Sequence, residues 1–381
     1  MRAEILLDED HAGGAGFRGE AECGGGDVFG RHAGERKRGG GRDAGDERGV
    51  PGEGWGDLPA GGGINLALDH YVSQVHLKRF YAPALNLKKM YAYRKSDLFQ
   101  FICGSNDVCR IDEGSTNSFL DNPRIVEEFL KKIEPKYNKA CESLYHGMPT
   151  EESVSVISGF VSFVVGCSPT AMRLGSTSLI NLTHAEAELL DKIGELDRAP
   201  PELGSKTLTE LLKNGSAKIT IDQKYPQSMG INSFLEVASC FSSSHWEILV
   251  NPRFEKFPFL TSDYPAAIEK TVDPRVVSRL VPLRPDLAVR IYPQIRPSMR
   301  PYFPTDFRYR VKKISPSEVT SANRTIIRSS ENLVFSPISE PWIRRMVSQN
   351  SRYRIELEHT KSPHGTGFLL RNQITLKEHS V

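Results

Sequence analysis

The side chains that could do chemistry begin with a cluster of polar residues near position 70. His70 carries an imidazole, which titrates near neutral pH and could act as a general base. Gln74 could orient a bound group through its amide, and the guanidinium of Arg79 could bind phosphate or carboxylate through two parallel hydrogen bonds. The cluster therefore supplies three candidate catalytic residues. The alternative is structural, in which these side chains tie the amino end of the domain to the sheet.

Asp263 is the fourth candidate catalytic residue, because it follows a predicted buried strand and precedes Tyr264 and Pro265. The proline restricts the residue before it to extended geometry, so the carboxylate would lie in a turn at the strand end. Together with Glu127, Asp263 could hold a divalent metal such as Mg²⁺ or Mn²⁺, which prefers oxygen ligands. The alternative is that Asp263 accepts backbone N–H bonds within an Asx turn.

Arginines and aromatic residues are interleaved along positions 290–313. Arg290, Arg308 and Arg310 are the candidate binding residues of this segment. Single-stranded nucleic acid binds to such combinations, because bases stack on rings while cationic side chains neutralise phosphates. Nucleic acid is therefore a candidate partner. The prolines between positions 293 and 304 favour the alternative, a surface connection between two strands.

The sequence patterns of several large enzyme classes are absent. The chain contains no GxxxxGK[ST] phosphate loop, no GxGxxG on a strand-to-helix turn, no GxSxG and no HExxH. Nucleotide-driven, α/β-hydrolase and zinc-protease chemistries are therefore disfavoured. The six cysteines form no CxxC pair, so we expect no structural zinc site.

The elements that would position the candidate residues begin with a helical pattern over positions 69–81. On such a helix His70 and Gln74 share a face, whereas His70 and His76 are about 240° apart and cannot bind one metal. A second helix is predicted from Asn122 to about Tyr145, with a kink or break at Pro135.

Helical patterns dominate the middle of the chain and strand patterns dominate its second half. The nearly uniform apolar character of positions 150–167 predicts a buried central helix. Ser315 to Glu318 form a capping box with proline at the first helical position. Five strands are predicted before it, over 246–250, 257–261, 280–283, 287–291 and 307–311. The predicted fold class is α+β, with a helical middle region packed against a mostly antiparallel sheet in a single main domain over 66–360.

Residues 1–65 form a glycine-rich, charged leader. The first 63 residues contain 20 of the 32 glycines and carry 8 Lys and Arg against 13 Asp and Glu. We expect disorder, because so little apolar surface cannot offset the entropy of ordering. The negative balance argues against a nucleic-acid-binding tail. A further hypothesis is that the leader is not native coding sequence, and residues 361–381 are expected to form a C-terminal tail.

The sequence also bears on the cellular compartment. The scattered cysteines are typical of free thiols in a reducing environment. The start of the chain lacks the apolar stretch of a secretory signal, and the longest apolar run is too short to cross a membrane. We expect a soluble, cytoplasmic protein with no membrane partner.

The peptide His70-Tyr71-Val72-Ser73-Gln74 resembles the opening signature of a family called domain of unknown function 4238, whose motif is of the type His-Tyr-Val-Pro-Gln. Here serine stands in place of the usual proline, and Tyr264 stands where asparagine is frequent. The resemblance covers roughly residues 68–350 and implies one folded unit. It also implies that His70, Gln74, Arg79, Glu127, Asp263 and Asn323 form one set of candidate residues. Among the matched positions, Arg173 and Asn323 are the candidate binding residues. Further matches in the family's order are Leu77, Arg79, Phe80, Glu127, Ser168-Pro169, Arg173, Trp246, Thr261-Ser262-Asp263, Pro265, Pro282-Leu283, Pro285 and Asn323.

Two hypotheses for function follow from these observations. The first is a binding or regulatory protein of unknown ligand, since no complete catalytic motif is present. The second is a metal-assisted phosphodiesterase or nuclease. In that mechanism Asp263 and Glu127 would bind the metal, His70 would act as base and Arg79 would contact phosphate.

Overall fold

A computed structural model of the protein describes residues 4–6, 68–201, 204–273, 276–293, 307–365 and 367–379. The leader, for which the sequence predicts disorder, lies outside the described residues except for a short strand at positions 4–6. The proline-rich part of the basic segment, residues 294–306, lies outside them as well.

The helices are concentrated in the middle of the described chain, with two more near its carboxyl end. They are α1 (Gln74–Leu77), α2 (Ile125–Tyr145), α3 (Glu151–Cys167), α4 (Pro169–Ile193), α5 (Leu208–Lys213), α6 (Lys224–Asn232), α7 (Phe234–Ser242), α8 (Pro316–Ser329) and α9 (Pro341–Asn350). Short 3₁₀ helices follow α1 at Lys78–Phe80 and Pro83–Leu85.

The strands of the described residues fall into four sheets. They are β1 (Glu4–Leu6), β2 (Leu68–His70), β3 (Met90–Arg94), β4 (Gln100–Cys103), β5 (Arg110–Asp112), β6 (His245–Val250), β7 (Thr261–Ser262), β8 (Ala267–Lys270), β9 (Val277–Arg284), β10 (Leu287–Tyr292), β11 (Arg308–Lys313), β12 (Leu333–Ser336), β13 (Tyr353–His364) and β14 (Gly367–Glu378). The sheet orders are β11-β6-β10-β9-β8, β4-β3-β12-β7, β1-β14-β13 and β2-β5.

The α+β class predicted from the sequence is confirmed, and the strand pairs described are antiparallel with one exception. That exception is the pair of β11 with β6, which is parallel. Residues assigned from the sequence to a C-terminal tail lie largely in the long hairpin of β13 and β14.

The prediction of one helix over 69–81 is wrong at its amino end. Residues 68–70 form β2, which pairs with β5, and the helix begins only at Gln74. The Asp69 carboxylate accepts the Ser115 N–H at 2.9 Å, so it binds a distant loop and caps no helix. Pairing with a strand forty residues away therefore overrides the local helical pattern.

Helix α2 does not end at Pro135, although proline removes one helical hydrogen bond at a cost of about 3 kcal/mol. The turns that follow bury Tyr137, Cys141 and Leu144 in the main core. Burial of each large apolar side chain contributes about 1.5 to 3 kcal/mol, so packing outweighs the lost bond.

The predicted central helix is confirmed as α3, and its apolar residues lie at the centre of the largest core. Ile157, Val161 and Val164 are fully buried, and one face of the five-stranded sheet packs against the same core through Trp246 and Ile291. Thr150 and Ser153 form a capping box at its amino end. The opposite face of that sheet packs against α8.

Helices α3 and α6 approach each other through two glycines. A Cβ atom added to Gly230 would lie 2.4 Å from the carbonyl oxygen of Gly166. No other residue type would fit there without moving the helices apart.

The predicted strand over 257–261 is replaced for most of its length by chain without regular secondary structure, whose N–H groups bond to a loop carbonyl and a side chain. The Phe259 N–H donates to the Pro285 carbonyl at 2.8 Å, and the Leu260 N–H donates to Asn323 Oδ1 at 2.9 Å. Only Thr261 and Ser262 pair as a strand, with β12. Phe259 and Leu260 are fully buried, as the apolar pattern predicts, but no strand of the described chain pairs with them.

Among the residues that the structure describes, no single helix has the length and apolar character needed to cross a membrane. Helices α3 and α4, which meet at a bend of 51°, pass that test of length and composition only when they are taken together.

Candidate functional site

His70 and Gln74 lie together, as predicted, but both belong to a closed hydrogen-bond network around Ser105. The Nε2–H of His70 donates to the Ser105 carbonyl at 3.0 Å, and its Nδ1 lies 3.4 Å from Gln74 Nε2. Gln74 Oε1 accepts the Ser105 hydroxyl, and the Tyr81 hydroxyl accepts the Ser105 N–H. Burial lowers the pKa of His70, and the nearby Arg110 guanidinium acts in the same direction. The neutral ring has both nitrogen atoms engaged.

Arg79 links the 3₁₀ turn after α1 to helix α2. Its Nε donates to Asn138 Oδ1 at 2.7 Å, and its Nη2 donates to the Asn138 carbonyl at 3.3 Å. Its third contact is an ion pair with Glu142 at 3.4 Å, and Glu142 is also paired with Arg284 at 2.8 Å. The guanidinium therefore binds groups on α2.

Asp263 lies at the end of β7, where its carboxylate binds the chain that leads into β12. Oδ1 accepts the N–H of Glu331 at 2.9 Å, and Oδ2 accepts those of Asn332 and Leu333 at 2.7 and 2.8 Å. Burial raises the pKa of Asp263 to about 6, although these N–H groups and the charge of Lys95 act against the rise. These contacts favour a structural role for Asp263. As in the Asx-turn alternative, its carboxylate accepts backbone N–H bonds, but the donors lie 68 to 70 residues further along the chain.

Asn323 and Arg173 also link distant segments. The buried Asn323 amide donates to the Pro258 carbonyl at 2.8 Å and accepts the Leu260 N–H. Arg173 binds Glu331 through two parallel hydrogen bonds of 2.9 and 2.8 Å, and it forms an ion pair with Glu356 at 3.1 Å. Two of the residues that the resemblance implied for ligand binding therefore bind other parts of the same chain.

Glu127 and Asp263 have separate partners. Glu127 lies in the first turn of α2, where it pairs with Arg124 and with Lys131 at 2.9 Å. The carboxylate of Asp263 is engaged by three backbone N–H groups, as described above. Across residues 68–379, apart from the gaps in the described chain, no group of three or more His, Cys, Asp or Glu side chains is arranged to hold a metal ion.

Arg290, Arg308 and Arg310 come together on one half of the five-stranded sheet. Arg290 donates to the buried carboxylate of Glu247 at 2.9 Å, and Arg310 binds the other oxygen of the same carboxylate. Arg308 is in register with His245 on the adjacent strand. Arg290 and Arg310 therefore share one carboxylate, and Arg308 lies on the same face of the sheet, two residues before Arg310 on β11.

A cavity of about 560 Å³ opens beside the signature peptide, between the four-stranded sheet and the first turn of α4. A second cavity of about 460 Å³ adjoins it, and Arg110 and Pro169 line both. We call the two together the Arg110 groove. The larger cavity is lined by Tyr71, Arg94, Phe101, Asp107, Val108, Cys109, Arg110, Pro169, Thr170, Asp263, Glu331, Asn332 and Leu333.

Backbone hydrogen bonds hold the signature peptide against the loop and strand that form one wall of this groove. His70 on β2 is the register partner of Arg110 on β5, and the N–H of Tyr71 donates to the Cys109 carbonyl at 2.9 Å. The Ser105 network described above links the same peptide to the loop that precedes Arg110. These hydrogen bonds determine where Tyr71 and Arg110 lie in the groove wall.

The acidic side chains of the larger cavity are engaged by the protein. Asp107 accepts the Gly104 N–H at 2.7 Å, Asp263 accepts three N–H groups, and Glu331 is paired with Arg173. The guanidinium of Arg110, in contrast, is exposed and forms no hydrogen bond or ion pair with the described part of the chain. It is the cation at the junction of the two cavities that is available to an anion.

Sequence reasoning missed Arg110, Arg94 and Lys95. Arg110 lies in a short strand of ordinary composition, and nothing in the local pattern distinguishes it. Lys95 is buried and donates to the carbonyls of Ser330 and Tyr353 at 2.7 and 2.6 Å, and burial lowers its pKa to about 8. Only contacts with residues more than two hundred positions away reveal its environment.

No curated protein and no solved structure matches this chain. A family model described as "Protein of unknown function (DUF4238)" matches residues 69–339, which is more than half of the chain. The match begins at the signature peptide and ends before α9, so it includes the cavity walls and the segments that Asp263 and Asn323 link. The chain belongs to this DUF4238 family of proteins of unknown function.

Proposed function

We propose that this protein is a binding protein whose ligand is a small molecule with an apolar body and one anionic group, held in the Arg110 groove. The observation that carries the proposal is the cavity of about 560 Å³ with the unpaired Arg110 at its edge. Sites for small molecules commonly enclose roughly 300 to 1,000 Å³ and combine apolar walls with a few polar groups.

The walls supply the apolar contacts. Tyr71, Phe101 and Leu333 are half-buried, so part of the surface of each residue remains accessible. Phe101 also stacks on the exposed ring of Phe99 at 6.1 Å, and Arg94 lies 5.7 Å from both ring centres. A planar apolar group would bury surface against these residues, and each Å² of apolar surface removed from water is worth about 25 cal/mol.

The group that favours a negative charge is Arg110, which offers an unpaired guanidinium. The first turn of α4 already binds a carboxylate, because the Thr170 hydroxyl donates to Glu331 at 3.0 Å. Asn332 lines the same cavity, and its side-chain Oδ1 accepts the Ser96 N–H at 3.1 Å. A neutral or cationic ligand would leave Arg110 without a partner.

Titration with the fluorescent aromatic sulfonate 1-anilinonaphthalene-8-sulfonate tests the proposal, because the probe combines an apolar body with one anion. Arg110→Gln should weaken binding by roughly tenfold or more, since a hydrogen bond to a charged group contributes about 1.5 to 3 kcal/mol. Phe101→Ala should also weaken it. Inorganic phosphate, which lacks the apolar body, should not compete at matched concentration.

Arg345→Gln is the matched control, since Arg345 is an exposed arginine of α9 outside the groove. Circular dichroism melting checks that each variant is folded. Wild-type affinity for the probe in both Arg110→Gln and Phe101→Ala would contradict the proposal.

A further inference from the structure

Strand β11 is an edge strand of the five-stranded sheet. It pairs with β6 on one side, and no described strand pairs with its other side. All six of its residues are exposed, including Tyr309 and Val311, which are 44% and 46% exposed. An edge strand presents unpaired N–H and C=O groups that can bind another extended chain.

The register shows which backbone groups point outward. The Ile314 N–H donates to the Val250 carbonyl, directly after the last parallel pair of β11 and β6. In a parallel ladder alternate residues bond to the same neighbour, so even-numbered residues of β11 face β6. The N–H and C=O groups of Tyr309, Val311 and Lys313 therefore point away from the sheet.

The side chains of β11 form two rows, because successive residues of a strand point to opposite faces. One row consists of Arg308, Arg310 and Lys312, and the other begins with Tyr309 and ends with Lys313. Four of the six residues are basic, and each row carries positive charge.

Two of the four cations are already paired. Arg310 binds the buried carboxylate of Glu247, and Lys312 lies 2.6 Å from Glu318. Arg308 and Lys313 form no ion pair within the described chain, so they remain available to an acidic partner.

The strand is held in place by its inner contacts. The Tyr309 ring stacks on Phe307 at 5.5 Å, and Phe307 packs edge-on against the fully buried Trp246 at 5.5 Å. Glu247 binds Arg290 as well as Arg310, which ties β11 to β10 across β6. A strand ordered before binding loses less conformational entropy when a partner adds to it.

We propose that β11 binds an extended acidic segment of a partner protein, which pairs with its outward N–H and C=O groups as a sixth strand of the sheet. Main-chain hydrogen bonds supply affinity in this mode of recognition, and alternate side chains supply specificity. Acidic side chains at alternate positions of the added strand would lie on the face of the row of Arg308, Arg310 and Lys312, where Arg308 is the cation that forms no ion pair within the described chain.

The positive charge of β11 favours an acidic peptide over other partners. A second copy of this strand would place like charges opposite each other, which is destabilising. Single-stranded nucleic acid fits less well than a peptide, because it requires several cations beside the rings, and Lys313 is the one cation of β11 that shares a face with Tyr309. The ring of Tyr309 and the guanidinium groups of Arg308 and Arg310 project from opposite faces of β11.

The test uses the full chain and three probes: a blocked octapeptide of alternating Glu and Thr, its counterpart with Lys in place of Glu, and a dodecamer of oligothymidylate. Fluorescence anisotropy should show binding of the acidic peptide alone. Amide exchange measured residue by residue should slow at Tyr309, Val311 and Lys313 when that peptide is added. Tighter binding of the oligonucleotide, or no protection at these three amides, would overturn the proposal.

Variants separate the contributions of charge and backbone. Arg308→Glu combined with Lys313→Glu should weaken peptide binding at least tenfold, whereas Arg344→Glu with Arg345→Glu on α9 makes the same change in net charge away from β11. Val311→Pro removes one outward N–H donor and should weaken binding while Val311→Thr does not. A lower melting temperature of Val311→Pro would mean that the proline also disturbs the fold. In that case the amide exchange of the wild-type protein shows whether the peptide pairs with the backbone of β11.

Discussion

The Nδ1 atom of His76 lies 2.7 Å from the hydroxyl oxygen of Tyr137 in the centre of the molecule. The Nε2 atom of the same ring lies 2.8 Å from Thr261 Oγ1, and the ring stacks on Phe160 at 4.9 Å. His76 thus joins α1, α2, α3 and β7 at one point. Burial lowers the pKa of His76 to about 3, so the ring is neutral in the folded protein.

The folded protein should therefore lose stability as pH falls from about 6.5 toward 3. In that interval His76 is protonated in the unfolded chain but not in the folded chain. The stability that the neutral buried ring contributes is therefore complete above pH 6.5 and is lost progressively as pH falls from 6.5 to about 3. The slope from this one residue is at most about 1.4 kcal/mol per pH unit. Urea unfolding of the wild type and of His76→Gln across this range measures the difference.

His76→Gln should be less stable than wild type near neutral pH, where the buried neutral ring contributes fully, and the gap should narrow as pH falls. The informative quantity is therefore the difference between the two pH slopes. His146→Gln provides a control, since His146 lies at the exposed end of α2. Parallel curves for wild type and His76→Gln would contradict a neutral buried ring.

Asp263→Asn should lower the free energy of unfolding by about 1 to 3 kcal/mol. The amide that replaces the carboxylate would place an NH₂ group against backbone N–H donors, leaving at least one buried donor unsatisfied. Asp121→Asn is the matched control, because Asp121 is exposed. Denaturant unfolding of both variants checks the prediction, and equal stability of the two would contradict the structural role of Asp263.

Gly230→Ala should destabilise the crossing of α3 and α6 by about 1 to 3 kcal/mol, the usual cost of overpacking. The new methyl group would collide with the Gly166 carbonyl, which is backbone and cannot rotate away. Met229→Ala on the same helix removes an exposed side chain and should have little effect. Thermal melting of the two variants makes the comparison, and similar midpoints would show that the helices can separate freely.

Arg173→Lys should lower stability by about 1 to 3 kcal/mol although the charge is kept. A lysine cannot reproduce the two parallel hydrogen bonds to Glu331 together with the contact to Glu356. Arg324→Lys, at an exposed position of α8, is the control. If the two lysine variants unfold at the same denaturant concentration, the geometry of the guanidinium contributes nothing measurable.

Several elements could be predicted because their signals are local. The capping box of Ser315 and Glu318 is present at the start of α8, and the apolar residues of α3 form the predicted central helix. Each signal depends on residues within one or two turns of one another. The strand prediction at 257–261 was wrong because apolar extended chain becomes a strand only where another strand can pair with it.

The candidate site was only partly predictable. The proximity of His70 and Gln74 follows from their short separation along the chain, whereas their shared partner Ser105 does not. Arg110 became a candidate only through the cavity that it lines, because an arginine in a short strand carries no distinguishing local pattern.

The sequence by itself determined the α+β class, the family, the central helix and the residues of the signature peptide. Tertiary structure decided what those residues do: Asp263 binds a segment 68 to 70 positions away, His76 joins residues 61 and 185 positions away, and β11 becomes an exposed edge. The physical reason is the separation along the chain of the residues that interact. Caps and apolar periodicity arise between neighbours in the chain, whereas burial, pairing and pKa depend on segments that only folding brings together.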